Sequence, residues 1–139
     1  MTAAARSDAA RFPIREGEER WTEAEITEVR DQLAVEAVEL RAEIDRAESD
    51  IAIRLGDAVS DAGDDSADVG AKAYEREHEL ALTYNARELL AQSERALASI
   101  DGGTYGSCES CGEPIGKARL QAFPRATLCV RCKQREERR

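Results

Sequence analysis

Four cysteines carry the most specific chemistry in this sequence. They fall in two matched pairs, Cys108-x-x-Cys111 and Cys129-x-x-Cys132, with seventeen residues between the pairs. A CxxC turn aims two thiolates at one point, and a second turn brought alongside completes the four-sulfur tetrahedron that zinc prefers. Gly106 and Gly112 flank the first pair and supply the permissive backbone that tight knuckles need. The expected cofactor is one structural Zn2+. Four sulfur ligands leave no open position for a reacting water, so no catalytic residues are assigned and an enzyme is not expected. Disulfides would require an oxidising compartment, and a redox CxxC would require a surrounding βαβ pattern that the sequence lacks.

The elements that must hold these cysteines are mainly helical. Aromatic residues make up 4% of the chain and charged residues 35%, which argues against a large core. No run of about 18 apolar residues occurs and no signal-like leader is present, so a cytoplasmic protein without membrane association is expected. Residues 1–101 hold 12 basic and 25 acidic side chains, net −13, whereas residues 102–139 hold 8 and 4, net +4. The acidic bulk makes general binding to nucleic acid a poor first expectation, because phosphate affinity rests on Lys and Arg.

Residues 1–20 lack apolar periodicity apart from Phe12, Pro13 and Ile14, and read as a mobile arm. Thr22-Glu23-Ala24-Glu25 is a capping box, and Trp21 with Ile26 is placed as a hydrophobic staple. From there Ile26, Val29, Leu33, Ala37, Leu40, Ile44, Ala47, Ile51 and Leu55 recur at intervals of mainly three and four, the seam of a coiled coil or helical hairpin. The pattern stops between Gly56 and Gly70, a stretch with five aspartates that reads as the hairpin tip. A second helix, with Ser66 as its N-cap, runs through Tyr74, Leu80, Tyr84, Leu90 and Leu97 to Ile100, and Asp101-Gly102-Gly103 ends it. The predicted organisation is an arm over 1–20, a long antiparallel coiled-coil hairpin over 21–101 with its tip at about 56–70, and a four-cysteine zinc finger with a short C-terminal helix over 102–139. The tip aspartates lack the spacing of an EF-hand loop, and the sole histidine, His78, reads as an exposed helical residue.

The run Gly106-Ser107-Cys108-Glu109-Ser110-Cys111-Gly112-Glu113-Pro114-Ile115-Gly116, followed by Arg119-Leu120, Ala122, Pro124, Leu128-Cys129 and Cys132-Lys133, resembles the zinc finger of the DksA/TraR family. The similarity in layout extends from about Trp21 to the end of the chain. The family's acidic DxxDxA tip motif falls on Asp65-Ser66-Ala67-Asp68-Val69-Gly70, with glycine where the family has alanine. The resemblance implies a bacterial transcription regulator, acting as a monomer, that binds RNA polymerase rather than a specific DNA sequence. Its coiled coil would enter the polymerase secondary channel, bring Asp65 and Asp68 near the active centre, and alter promoter-complex stability.

The resemblance also implies contacts to guanosine tetraphosphate and polymerase. By position these fall on Leu89, Gln92, Phe123 and Lys133; Gln92 and Phe123 stand where basic side chains are expected. Arg119 and Arg125 are the nearby residues able to compensate, and weak or absent dependence on the nucleotide is the expectation. Two other function classes fit the residues. One is a nucleic-acid-binding zinc module using Lys117, Arg119, Arg125, Arg131, Lys133 and Arg135, and the other is a zinc and coiled-coil adaptor or thiol-based stress sensor.

Overall fold

Helix α1 begins where Thr22 and Glu25 satisfy each other's backbone. The Glu25 amide donates to Thr22 Oγ1 at 3.1 Å and the Thr22 amide to Glu25 Oε1 at 3.0 Å, the reciprocal pair of a capping box. In this computed structural model, which describes residues 9–60 and 66–138, the named helices follow in the order α1 (Glu23–Ser60), α2 (Ser66–Gly102), α3 (Lys117–Ala122) and α4 (Val130–Glu137). The two long helices pack as a hairpin. Helix α2 closes in a Schellman motif, with Thr104 N donating to Ser99 O at 2.9 Å, Gly103 N to Ile100 O at 3.3 Å, and Gly103 at φ 78°.

The chain divides into two compact units, Met1–Glu36 with Gln92–Arg139, and Ala37–Ala91. The first contains a core of Phe12, Trp21, Val29, Leu33, Ala96, Ile100, Tyr105, Ile115 and Leu120, joined by Cys108 and Cys132. Leu33 and Leu120 are fully buried, each removing about 2 kcal/mol worth of apolar surface from water. Tyr105 ties this core together: its ring meets Phe12 edge-on at 6.2 Å and Trp21 at 6.3 Å, and its hydroxyl donates to Pro124 O at 2.9 Å. Burial pushes the Tyr105 phenol well above its ordinary value, so it remains a donor.

The second unit is the outer part of the two long helices. Ala37, Ile44, Thr83 and Ala86 are buried there. Thr83 satisfies its hydroxyl on Glu79 O at 2.9 Å, and Arg54 with Glu79 and Arg87 with Glu48 bridge the two helices.

Three expectations change against this structure. Residues from Ala9 onward do not form a mobile arm: Ala9 and Phe12 are buried and Ile14 packs against the core, because apolar side chains here find partners far along the chain. On α2 the seam follows the expected apolar residues only at Leu90 and Leu97, which are half-buried, and at Ile100, which is buried. Tyr74, Leu80 and Tyr84 are exposed, and the buried positions are Thr83, Ala86, Ser93, Ala96 and Ile100. These recur at intervals of three, four and seven, and small side chains let two helices approach closely while the larger ones turn outward. Finally, α1 continues through Gly56 to Ser60, so the first helix enters the expected 56–70 tip, while α2 starts at Ser66 as expected. A single glycine costs a helix only about 1 kcal/mol. Asp65 and the side chain of Asp68 lie outside the described residues.

Candidate functional site

The segment after α2 builds the first cysteine knuckle as a small closed turn. Cys108 N donates to Glu113 O at 2.8 Å, Gly112 N to Cys108 O at 2.9 Å and Ile115 N to Gly106 O at 2.8 Å, with a bridge pairing Ser107 and Pro114. The second pair opens helix α4: Cys129 is its N-cap, and its sulfur accepts from Cys132 N at 3.5 Å. A thiolate at that position receives backbone N–H dipoles aimed along the helix. One backbone bond, Glu109 N to Thr127 O at 2.9 Å, couples the two halves.

These elements bring Cys108, Cys111, Cys129 and Cys132 together with all four sulfurs within 4.8 Å of one another. Cys111 Sγ and Cys129 Sγ are 3.8 Å apart. Four sulfurs each about 2.3 Å from one zinc ion lie about 3.8 Å apart along the edges of the tetrahedron. The Cys111–Cys129 pair already stands at that edge length, and the cluster as a whole has the composition and near the size of a four-thiolate zinc site. Cys108 and Cys132 are buried, Cys129 half-buried and Cys111 exposed.

Without a metal ion the thiols differ in proton affinity. Burial pushes the Cys108 thiol up, but hydrogen bonds from the Cys111, Cys129 and Ser110 backbone outweigh it and bring it down to about 6. The Cys132 N–H lowers Cys129, and the Cys132 thiol, which hydrogen-bonds to Cys129, is pushed up to about 12. Four thiolates at this spacing repel one another, and a dication is the charge that lets all four ionise. Residues 9–20, expected from the sequence as part of an arm, complete the surroundings. Glu18 accepts from Lys117 N at 3.0 Å and Ala118 N at 3.1 Å, capping α3 from the far end of the chain. Burial pushes its carboxyl up, but the Arg15, Lys117 and Ala118 N–H groups hold it below the usual range. The sequence signals for this contact were Phe12-Pro13-Ile14 and the glycines of the finger.

The remaining residues singled out from the sequence are scattered in environment. Leu89 and Gln92 are half-buried on α2, while Phe123 and Lys133 are exposed. His78 is exposed on α2, as expected. Arg119 donates to Leu128 O at 3.3 Å and lies 5.8 Å from the Phe123 ring centre. Arg125 pairs with Glu36 at 3.7 Å, and Lys117 pairs with Glu25 at 2.6 Å. Three of the six basic residues considered for phosphate contact are thus committed to partners within the molecule.

Comparison with known proteins follows the same lines. The prokaryotic dksA/traR C4-type zinc finger matches residues 103–138, a span that includes all four cysteines. The RNA polymerase-binding transcription factor DksA of Escherichia coli is 36% identical over 122 residues, covering 84% of this chain and 74% of that protein. The protein of the same name from Caulobacter vibrioides is 43% identical over 75 residues, 54% of this chain; that match spans only about half, 53%, of the relative's length. Among solved structures, the transcription factor DksA2 from Pseudomonas aeruginosa superposes with a TM-score of 0.65 at 33% identity, covering 84% of this chain and 85% of that one. With a four-sulfur cluster, a two-helix hairpin and this identity over most of its length, the chain belongs to the DksA/TraR family of four-cysteine zinc-finger factors.

Proposed function

We propose that this protein is a transcription factor that acts by binding RNA polymerase, without catalytic activity of its own. The observation that carries the reading is the 36% identity over 84% of the chain to a protein named for that activity. In this reading the hairpin enters the polymerase secondary channel and presents Asp65 and Asp68 to the active centre, changing the lifetime of promoter complexes. Residues 37–91 carry 14 acidic and 6 basic side chains. A slender acidic helical pair suits a cationic channel, where carboxylates bias cationic side chains or a bound metal ion. One Zn2+ on Cys108, Cys111, Cys129 and Cys132 serves the fold of the finger. The factor works as a monomer in the cytoplasm, with weak or no dependence on guanosine tetraphosphate. Binding to a specific DNA sequence is not part of the reading, since Lys117, Arg119 and Arg125 are engaged internally.

The tip is tested by promoter-complex lifetimes at saturating factor. Wild type changes the lifetime, and Asp68→Asn binds polymerase but loses the effect. Equal lifetimes with both proteins would reduce the tip to a solvated loop.

A further inference from the structure

Residues 12–18 lie across the first cysteine knuckle on both of its flanks. On one side, a Cβ at Gly106 would stand 3.4 Å from Pro13 Cγ and 3.3 Å from Leu120 Cδ1. On the other, a Cβ at Gly116 would stand 2.8 Å from Arg15 Cδ and 3.7 Å from Glu18 Oε1. Both glycines have positive φ, 99° and 111°, so the backbone and the missing side chains together leave room for the segment. The segment is preformed for the contact: Arg15 N donates to Glu18 Oε1 at 2.7 Å and Glu18 N to Arg15 O at 3.1 Å. Glu18 then spans 99 residues of sequence to Lys117 N and 100 to Ala118 N, fixing the chain just past Gly116. Ile14 and Arg15 also line the concavity that contains Cys111 and Cys129.

We infer that residues 12–18 are a strap that retards metal exchange at the four-cysteine site, with Glu18 as the positioning residue that keeps it closed. This rests on the four-cysteine zinc reading. Release of the metal requires one knuckle to swing away from the other. Within the finger, the backbone bond from Glu109 to Thr127 and the Cys129 backbone contact to the Cys108 thiol tie the halves directly; the strap adds a restraint from outside it. Opening the strap at its Glu18 end frees the Gly116 flank for local motion while Phe12, at the other end, keeps its place in the buried core.

The test compares wild type, Glu18→Gln and, as a control of equal charge, Glu19→Gln, all loaded with zinc. The rate of zinc transfer to a chromogenic chelator is read alongside Trp21 fluorescence, which reports unfolding because Trp21 is the sole tryptophan and is buried in the core. Glu18→Gln should release zinc about tenfold faster, equivalent to about 1.4 kcal/mol, with one zinc bound at the start and Trp21 exposure no faster than in wild type. Glu19→Gln should behave as wild type. Unchanged release in Glu18→Gln, or release and Trp21 exposure accelerating together, would overturn the strap. Wild type that binds no zinc would instead overturn the metal reading on which it stands.

Discussion

The carboxylate of Glu25, in the first turn of α1, lies 2.6 Å from the ammonium of Lys117, the first residue of α3. The same carboxylate accepts from Thr22 N and from Gln121 Nε2, and Lys117 in turn lies 5.8 Å from the Trp21 ring centre. One side chain thus starts the first long helix and anchors the finger's short helix to it. The Lys117 contact, reinforced by Thr22 and opposed by desolvation, holds the Glu25 carboxyl down at about 2 against an ordinary 4.5.

Glu25→Gln should therefore destabilise the unit that contains the finger, by about 1 kcal/mol for the weakened cap and ion pair. Because the folded-state value is depressed, the contribution is fully present above about 4.5 and is lost as pH falls toward about 2. Denaturation of the two proteins at a series of pH values should show a stability gap near neutrality that closes across that acidic window. A gap independent of pH would assign the effect to packing alone.

The capping box, the helix stop at Gly102-Gly103 and the four-cysteine cluster were all legible in the sequence because each is local: its donors and acceptors, or its sulfurs, are set by spacing within a few residues or by a known pair of turns. The α2 seam was less legible. Tyr74 and Tyr84 outrank Thr83 in hydrophobicity, yet Thr83 lies on the buried stripe with Ala86 and satisfies its hydroxyl on Glu79 O, so spacing decided burial where residue type misled. Phe12-Pro13-Ile14 hinted that this stretch packs, but the docking of Glu18 has no local signature, since its partners Lys117 and Ala118 lie about a hundred residues along the chain.

Replacement of a metal ligand separates the two units. A structural zinc site supplies on the order of 10 kcal/mol in isolated zinc peptides, so Cys108→Ser should lose zinc and unfold the finger while much of the helical signal from α1 and α2 persists. Metal analysis should find one zinc per wild-type chain after purification under reducing conditions. Well under one equivalent would contradict the site.

The nucleotide prediction follows from charge. Gln92 and Phe123 occupy positions where basic contacts are implied, and Arg119 and Arg125 are held by Leu128 O and Glu36. Each missing charge-assisted contact removes roughly 1.5 to 3 kcal/mol. A titration of guanosine tetraphosphate in a transcription assay should change this factor's effect little. Enhancement of about tenfold or more, which is about 1.4 kcal/mol of coupling, would contradict it.

Direct binding to RNA polymerase is the measurement closest to the central claim. Zinc-loaded protein titrated against purified core polymerase in the absence of DNA should form a saturable one-to-one complex, and unlabelled wild type should displace a labelled copy. No complex with polymerase at micromolar concentrations, together with salt-sensitive binding to DNA alone, would contradict the account.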